Sequence, residues 1–124
     1  MALVQNGVGT IDFGFINATK YSGNIAFVPI EVIPYALGSG EWSFFATGYA
    51  VGTHTFNATS IPIMMDMGMN IALLLESMAT NYYRQVHGAY QQADGSWAFP
   101  CASTLPNLTM GIGSSRGVIP DKFM

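Results

Sequence analysis

Positive charge is scarce in this chain of 124 residues: Lys20, Arg84, Arg116 and Lys122 are its only fixed cations, and the formal net charge is -3. Four scattered cations cannot form the basic patch that neutralises a phosphate backbone, so a nucleic-acid partner is excluded as an expectation. Cysteine is scarcer still, with Cys101 alone. A disulfide framework within the chain and a cysteine-rich zinc site are both ruled out, and His54 and His87 stand far apart without ligand-spaced acids around them. No metal site and no cofactor are expected. Long apolar runs are missing too. The longest candidate, around residues 61–75, is broken by Pro62, Asp66, Gly68 and Asn70, short of the roughly 18 to 20 residues that cross a bilayer. The opening "MALVQNGVGT" has neither a charged n-region nor a long apolar h-region, so no secretory signal is visible in it. "GIGSSRG" (111–117) lacks the Lys-Ser/Thr ending of a phosphate loop.

Hydrophobic residues, by contrast, make up 50% of the chain, punctuated by 14 glycines and 6 prolines. That mixture suits one mainly β domain with many turns, and 124 residues suffice for a real core. "GTIDFGFI" (9–16) alternates Ile11, Phe13 and Phe15 against Thr10, Asp12 and Gly14, which predicts a half-buried strand. A second strand is predicted at "IAFVPI" (25–30), and residues 34–41 read as a loop. The strongest sheet signal is "EWSFFATGYAVGTHTFNAT" (41–59), with the turn of a hairpin at Gly52-Thr53-His54. One segment has a helical period: in "ESMATNYYRQVHG" (76–88), Met78 and Ala79, Tyr82 and Tyr83, then Val86 recur at three to four residues, and Gly88 is placed to end the helix. "SWAFPC", "LTMGIG" and "GVIP" then predict three short strands.

Three features carry chemistry. Asn17, Asn57 and Asn107 each begin an Asn-x-Thr acceptor for N-glycosylation, which points to a segment of a secreted protein. Cys101 is either an unpaired thiol or half of a disulfide whose partner lies outside this chain. Finally, "MMDMGMN" (64–70) sets Asp66 among methionines where an apolar strand breaks into a turn. A carboxylate there, beside a glycine that admits close backbone approach, is either a solvated turn residue or a functional acid.

The landmarks "GTIDFGFINATKYSGNIAFVPI", "EWSFFATGYAVG", the acid segment from Asp66, "NYYRQVHGAY", "WAFPCASTLPNLTMGIGSS" and "VIP" follow one another through nearly the whole chain. In order and spacing they resemble the carboxyl-terminal lobe of the pepsin-like fungal aspartic proteases, of the penicillopepsin and aspergillopepsin type. The resemblance implies a mainly β fold in which residues 1–124 are part of one lobe of a bilobal acid protease, with one short helix after the Asp66 loop. It implies a secreted endopeptidase acting on peptide or protein substrates without a cofactor, with Asp66 as a catalytic carboxylate. Gly68 and Met69 would stand at the substrate-binding positions that follow it. It also implies that the partner of Cys101 lies beyond the chain, along with a strand that would otherwise cover the apolar face behind Asp66.

The family pattern is departed from at the loop itself. Met67 stands where the family has the threonine of Asp-Thr-Gly, Met69 and Asn70 stand where two further threonines are usual, and Leu75 replaces a proline. A thioether accepts weakly and donates nothing, so the hydroxyl roles that the resemblance assigns, locking the lobes and donating to the carboxylate, have no donor here. The family needs two carboxylates that share one proton. Asp12, Glu31, Glu41, Glu76, Asp94 and Asp121 read as strand or turn residues, so the second acid must come from another lobe or from a homodimer. The isolated chain is expected to be inactive without one. The alternative is a non-enzymatic pseudoprotease or peptide-binding scaffold.

Overall fold

The computed structural model of the chain describes residues 6–32, 42–66 and 72–124. Its centre is the strand β1, Ser43–Val51, which pairs antiparallel with β2 (Asn57–Met64) on one side and with β5 (Leu108–Ile112) on the other. β6 (Ser115–Ile119) completes a four-stranded sheet in the order β2-β1-β5-β6. A separate hairpin joins β3 (Tyr90–Gln91) and β4 (Trp97–Ala98). The fold is mainly β with one α-helix among the described residues, α1 (Glu76–Tyr83), as the sequence pattern predicts.

The β1–β2 turn falls at the predicted corner. Gly52 takes φ +58, a conformation a glycine adopts at little cost, and His54 N donates to Val51 O at 3.1 Å to close the turn. The register slips between Ala46 and Gly48, where one extra residue of β2 is accommodated as a bulge. Gly48 sits there at φ +146, and the Phe56 ring lies against it. A Cβ at Gly48 would meet Phe56 Cε1 at 2.7 Å and the Asn57 carbonyl oxygen closer still. The Arg116 guanidinium covers the Phe56 ring with its carbon 4.1 Å from the centroid, a cation–π contact across the sheet.

The helix face read from sequence is the one that packs. Met78, Tyr82 and Val86 are 2%, 1% and 4% exposed and join Ala46, Tyr49, Val51, Ile61 and Leu108 in the core. Tyr82 also satisfies its hydroxyl by donating to Pro106 O at 2.9 Å. The α-helix stops earlier than the pattern to Gly88 suggests. Arg84 N still reaches Thr80 O, but Gln85 and Val86 bond to Tyr82 and Tyr83, three residues back, so the last turn tightens before Gly88 reverses the chain at φ +78. Beside the core, Tyr83 stacks on Trp97 at 5.1 Å between centroids, which ties the β3–β4 hairpin to the helix.

Two predicted strands, the first read from alternation, are absent. Residues 9–16 and 25–30 are not strands: between 6 and 32 the structure has an isolated bridge at Thr10 and a 3-10 turn at Ala18–Lys20. Ile11, Phe13 and Phe15 are exposed rather than half-buried. The physical reason is twofold. Gly14, inside the first segment, takes φ +78, which interrupts an extended chain, and a strand persists only when a neighbour takes up its backbone groups. The second segment is held near its end, where Glu31 N donates to Ser43 O at 2.9 Å and Ser43 Oγ donates to Glu31 O at 2.7 Å.

Two expectations follow from the packing. Burial, reinforced by the neighbouring Tyr83 and Asp121, pushes the Tyr82 hydroxyl up from its usual 10.0 to about 12. The neutral form is favoured in the folded state, so its contribution is complete below the unfolded value and is lost as pH rises from about 10 through about 12. Denaturant titrations across that range show stability falling, and Tyr82→Phe flattens this part of the slope while costing about 1 kcal/mol at neutral pH for the lost hydrogen bond. Gly48→Ala, strained in φ and blocked by the Asn57 carbonyl and Phe56, lowers the unfolding free energy by more than about 2 kcal/mol in the same assay.

Candidate functional site

Asp66 lies two residues beyond the end of β2, on the segment that leads from the sheet to α1. Both flanks of that segment are fixed by packing. On the strand side Ile61 is buried and Ile63 packs against the core, and on the helix side Leu74 and Met78 do the same. The β1–β2 pairing extends one step past the strand, with Met65 N donating to Trp42 O at 2.9 Å. Asp66 is therefore delivered by the last hydrogen-bonded step of a sheet edge. The helix that follows begins at Glu76, with Met78 N and Ala79 N both donating to Leu75 O. Glu76 in its first turn places negative charge at the positive end of the helix dipole.

Asp66 is exposed, the adjoining Met64 and Met65 are 38% and 60% exposed, and Trp42, bonded to Met65, is 71% exposed. Gly68 and Met69, expected at the substrate-binding positions, lie outside the described residues, as do Met67 and Asn70. Asp12, which shares the Asp-x-Gly spacing through Gly14, forms an ion pair with Lys20. Among the described residues no three His, Cys, Asp or Glu side chains gather in the way a metal ion requires.

Cys101 is an exposed free thiol in the turn closed by Ser103 N donating to Pro100 O at 2.9 Å. The three glycosylation acceptors sit in different settings. Asn17 caps the 3-10 turn, its Oδ1 accepting from Thr19 N at 3.0 Å and from Thr19 Oγ1 at 2.8 Å. Asn107 Oδ1 accepts from Asp121 N at 2.8 Å. Asn57 is exposed at the first position of β2.

Sequence reasoning missed a groove of about 430 Å³ between the β1–β2 hairpin and the end of α1. Tyr49, His54, Asn57, Asn81, Arg84 and Gln85 face it. They come from a strand, a turn, a second strand and the helix end, so no local spacing announces them. The one signal available was the hairpin itself, which sets Asn57 opposite Tyr49.

Comparison with known proteins adds identity to this geometry. A family model described as eukaryotic aspartyl protease matches residues 2–124. Podosporapepsin of Podospora anserina is 39% identical over 123 residues, 98% of this chain and 28% of the relative. Endothiapepsin of Cryphonectria parasitica is 39% identical over 117 residues, 94% of this chain and 27% of the relative. Aspergillopepsin-1 of Aspergillus fumigatus is 34% identical over 125 residues, the whole of this chain and 30% of the relative. The chain thus spans less than a third of the length of these relatives. A mainly β lobe that carries Asp66 from a sheet edge towards a helix, matched along almost its entire length, belongs to the eukaryotic aspartyl protease family.

Proposed function

We propose that Asp66 is one of the two catalytic carboxylates of a secreted aspartic endopeptidase, and that residues 1–124 are part of its carboxyl-terminal lobe. The observation that carries this reading is the position of Asp66: an exposed carboxylate just past the end of β2, within a chain of this family. With a second Asp facing it, one carboxylate takes a proton from water, the water oxygen bonds to the scissile carbonyl carbon, and the other acid donates to the carbonyl oxygen as the tetrahedral centre forms. Collapse of that centre breaks the C–N bond as the amine leaves with a proton. Gly68 and Met69 follow at the positions that receive substrate backbone, where an extended peptide is held chiefly by main-chain hydrogen bonds.

The second Asp comes from another lobe or from a homodimer. Support lies in the exposed apolar side chains of residues 6–32, among them Val8, Phe13, Phe27 and Val32, a kind of surface that a protein partner covers. Cys101, exposed and free here, is assigned to a disulfide with a cysteine outside this chain. Asn17, Asn57 and Asn107 are assigned as glycosylation acceptors, in keeping with secretion. The alternative is a pseudoprotease scaffold, favoured by one specific observation: Met67 and Met69 replace hydroxyl residues with thioethers that cannot donate to the carboxylate.

Incubation of the chain with a denatured protein substrate at acid pH decides between these readings. The isolated chain at low concentration is expected not to cleave. Cleavage that appears as concentration rises, is lost in Asp66→Asn and is blocked by a transition-state-like inhibitor of the class establishes the homodimer route. Such cleavage also removes the pseudoprotease reading, whereas no cleavage at any concentration removes the homodimer route and leaves a second lobe or the pseudoprotease scaffold.

A further inference from the structure

We propose that Asn57 carries an N-linked glycan whose first sugar, an N-acetylhexosamine, folds back into the groove between the β1–β2 hairpin and the end of α1. The proposal rests on the secretory reading above and goes beyond it by giving one of the three acceptors a built seat. Asn57 is exposed, and so is Thr59, the hydroxyl residue of its acceptor triplet. In the β1–β2 ladder Asn57 lies directly opposite Tyr49, and residues paired in this way share a face of the sheet. Tyr49 Oη in turn accepts from Asn81 Nδ2 at 2.6 Å, which joins the strand pair to the helix and makes the floor of the groove.

The volume and the chemistry both suit a sugar. At about 430 Å³ the groove falls within the roughly 300–1,000 Å³ typical of small-molecule sites. Arg84 offers a fork of donors and, among the described residues, makes no ion pair. Gln85 supplies a carboxamide, spending one donor on a long 3.4 Å contact to Asn81 O, and His54 stands on the hairpin side. Donors for an acetamido carbonyl and for ring hydroxyls thus surround the point where the sugar would be attached, with Ala50 and Val51 as an apolar wall. The other two acceptors differ. Asn17 and Asn107 have their carboxamide oxygens engaged locally and line neither this groove nor the cavity beside Pro100 and Ser103. Glycans at those positions extend into solvent.

Attachment uses a lipid pyrophosphate-linked oligosaccharide as donor. The Asn57 Nδ2–C1 bond forms, the C1–O bond to pyrophosphate breaks, the lipid pyrophosphate leaves, and the amide nitrogen gives up one proton. Once the chain folds, the sugar bridges hairpin and helix, two elements otherwise joined by side chains alone at this end.

The test is to secrete the full chain from a eukaryotic host, map occupancy at Asn17, Asn57 and Asn107 by mass spectrometry, and follow release by a peptide N-glycanase from folded and from denatured protein. The folded-to-denatured rate ratio at Asn57 is expected to be about tenfold lower than at any other occupied acceptor, the ratio that one or two retained hydrogen bonds produce. Arg84→Ala and, separately, Gln85→Ala raise that ratio towards the others, and the two variants guard against one of them misfolding. An unmodified Asn57 overturns the proposal, and if all three acceptors are unmodified the glycosylation assignment falls with it. An occupied Asn57 released as freely as the others, or unmoved by both variants, overturns the seating alone.

Discussion

Everything in this lobe depends on β1 being paired on both sides while one of its faces is closed by Tyr82. β2 and β5 take up the backbone groups of β1, and the helix with the turn that ends it lays Met78, Tyr82 and Val86 over Ala46, Tyr49, Val51 and Leu108. Tyr82 is the keystone because it is almost fully buried yet spends its hydroxyl on Pro106 O, so the loop before β5 is fixed by the same side chain that docks the helix. A buried phenol without that acceptor would oppose folding.

From that arrangement the position of Asp66 follows. β2 is an edge strand whose first half is exposed and whose later residue Ile61 enters the core. The bulge opposite Gly48 makes this change of exposure by inserting one residue into β2. Ile61 and Ile63 then anchor the strand as it ends, and Leu74 and Met78 anchor the chain as it enters the helix. A carboxylate just past such an anchored strand is placed by the core without belonging to it, the arrangement expected when function is carried on a rigid scaffold.

The hairpin, the helix face and the strands near 97–98, 108–112 and 115–119 were legible in the sequence because each has a local signature: a turn glycine, a three-to-four-residue apolar period, short β-branched or apolar runs between glycines and prolines. Residues 9–16 misled because alternation records which side chains could face a core and says nothing of whether a second strand is there to pair. Gly14 held the missing information, since its positive φ cannot be read from its neighbours. At the candidate site, Asp66 was singled out through resemblance to a family rather than through composition, and of the Tyr49, Asn81 and Arg84 groove only the hairpin was legible, because its walls come together only when that hairpin packs on the helix.

The central claim is that Asp66 is half of a shared carboxylate pair. It is tested most directly by mixing this chain with a separately purified amino-terminal lobe of a relative that carries the other catalytic Asp, and measuring peptide cleavage at acid pH. The account predicts cleavage in the mixture, none from either lobe at the same concentration, and loss of cleavage with Asp66→Asn. Cleavage that survives Asp66→Asn, or a stable complex of the two lobes that does not cleave, would contradict it.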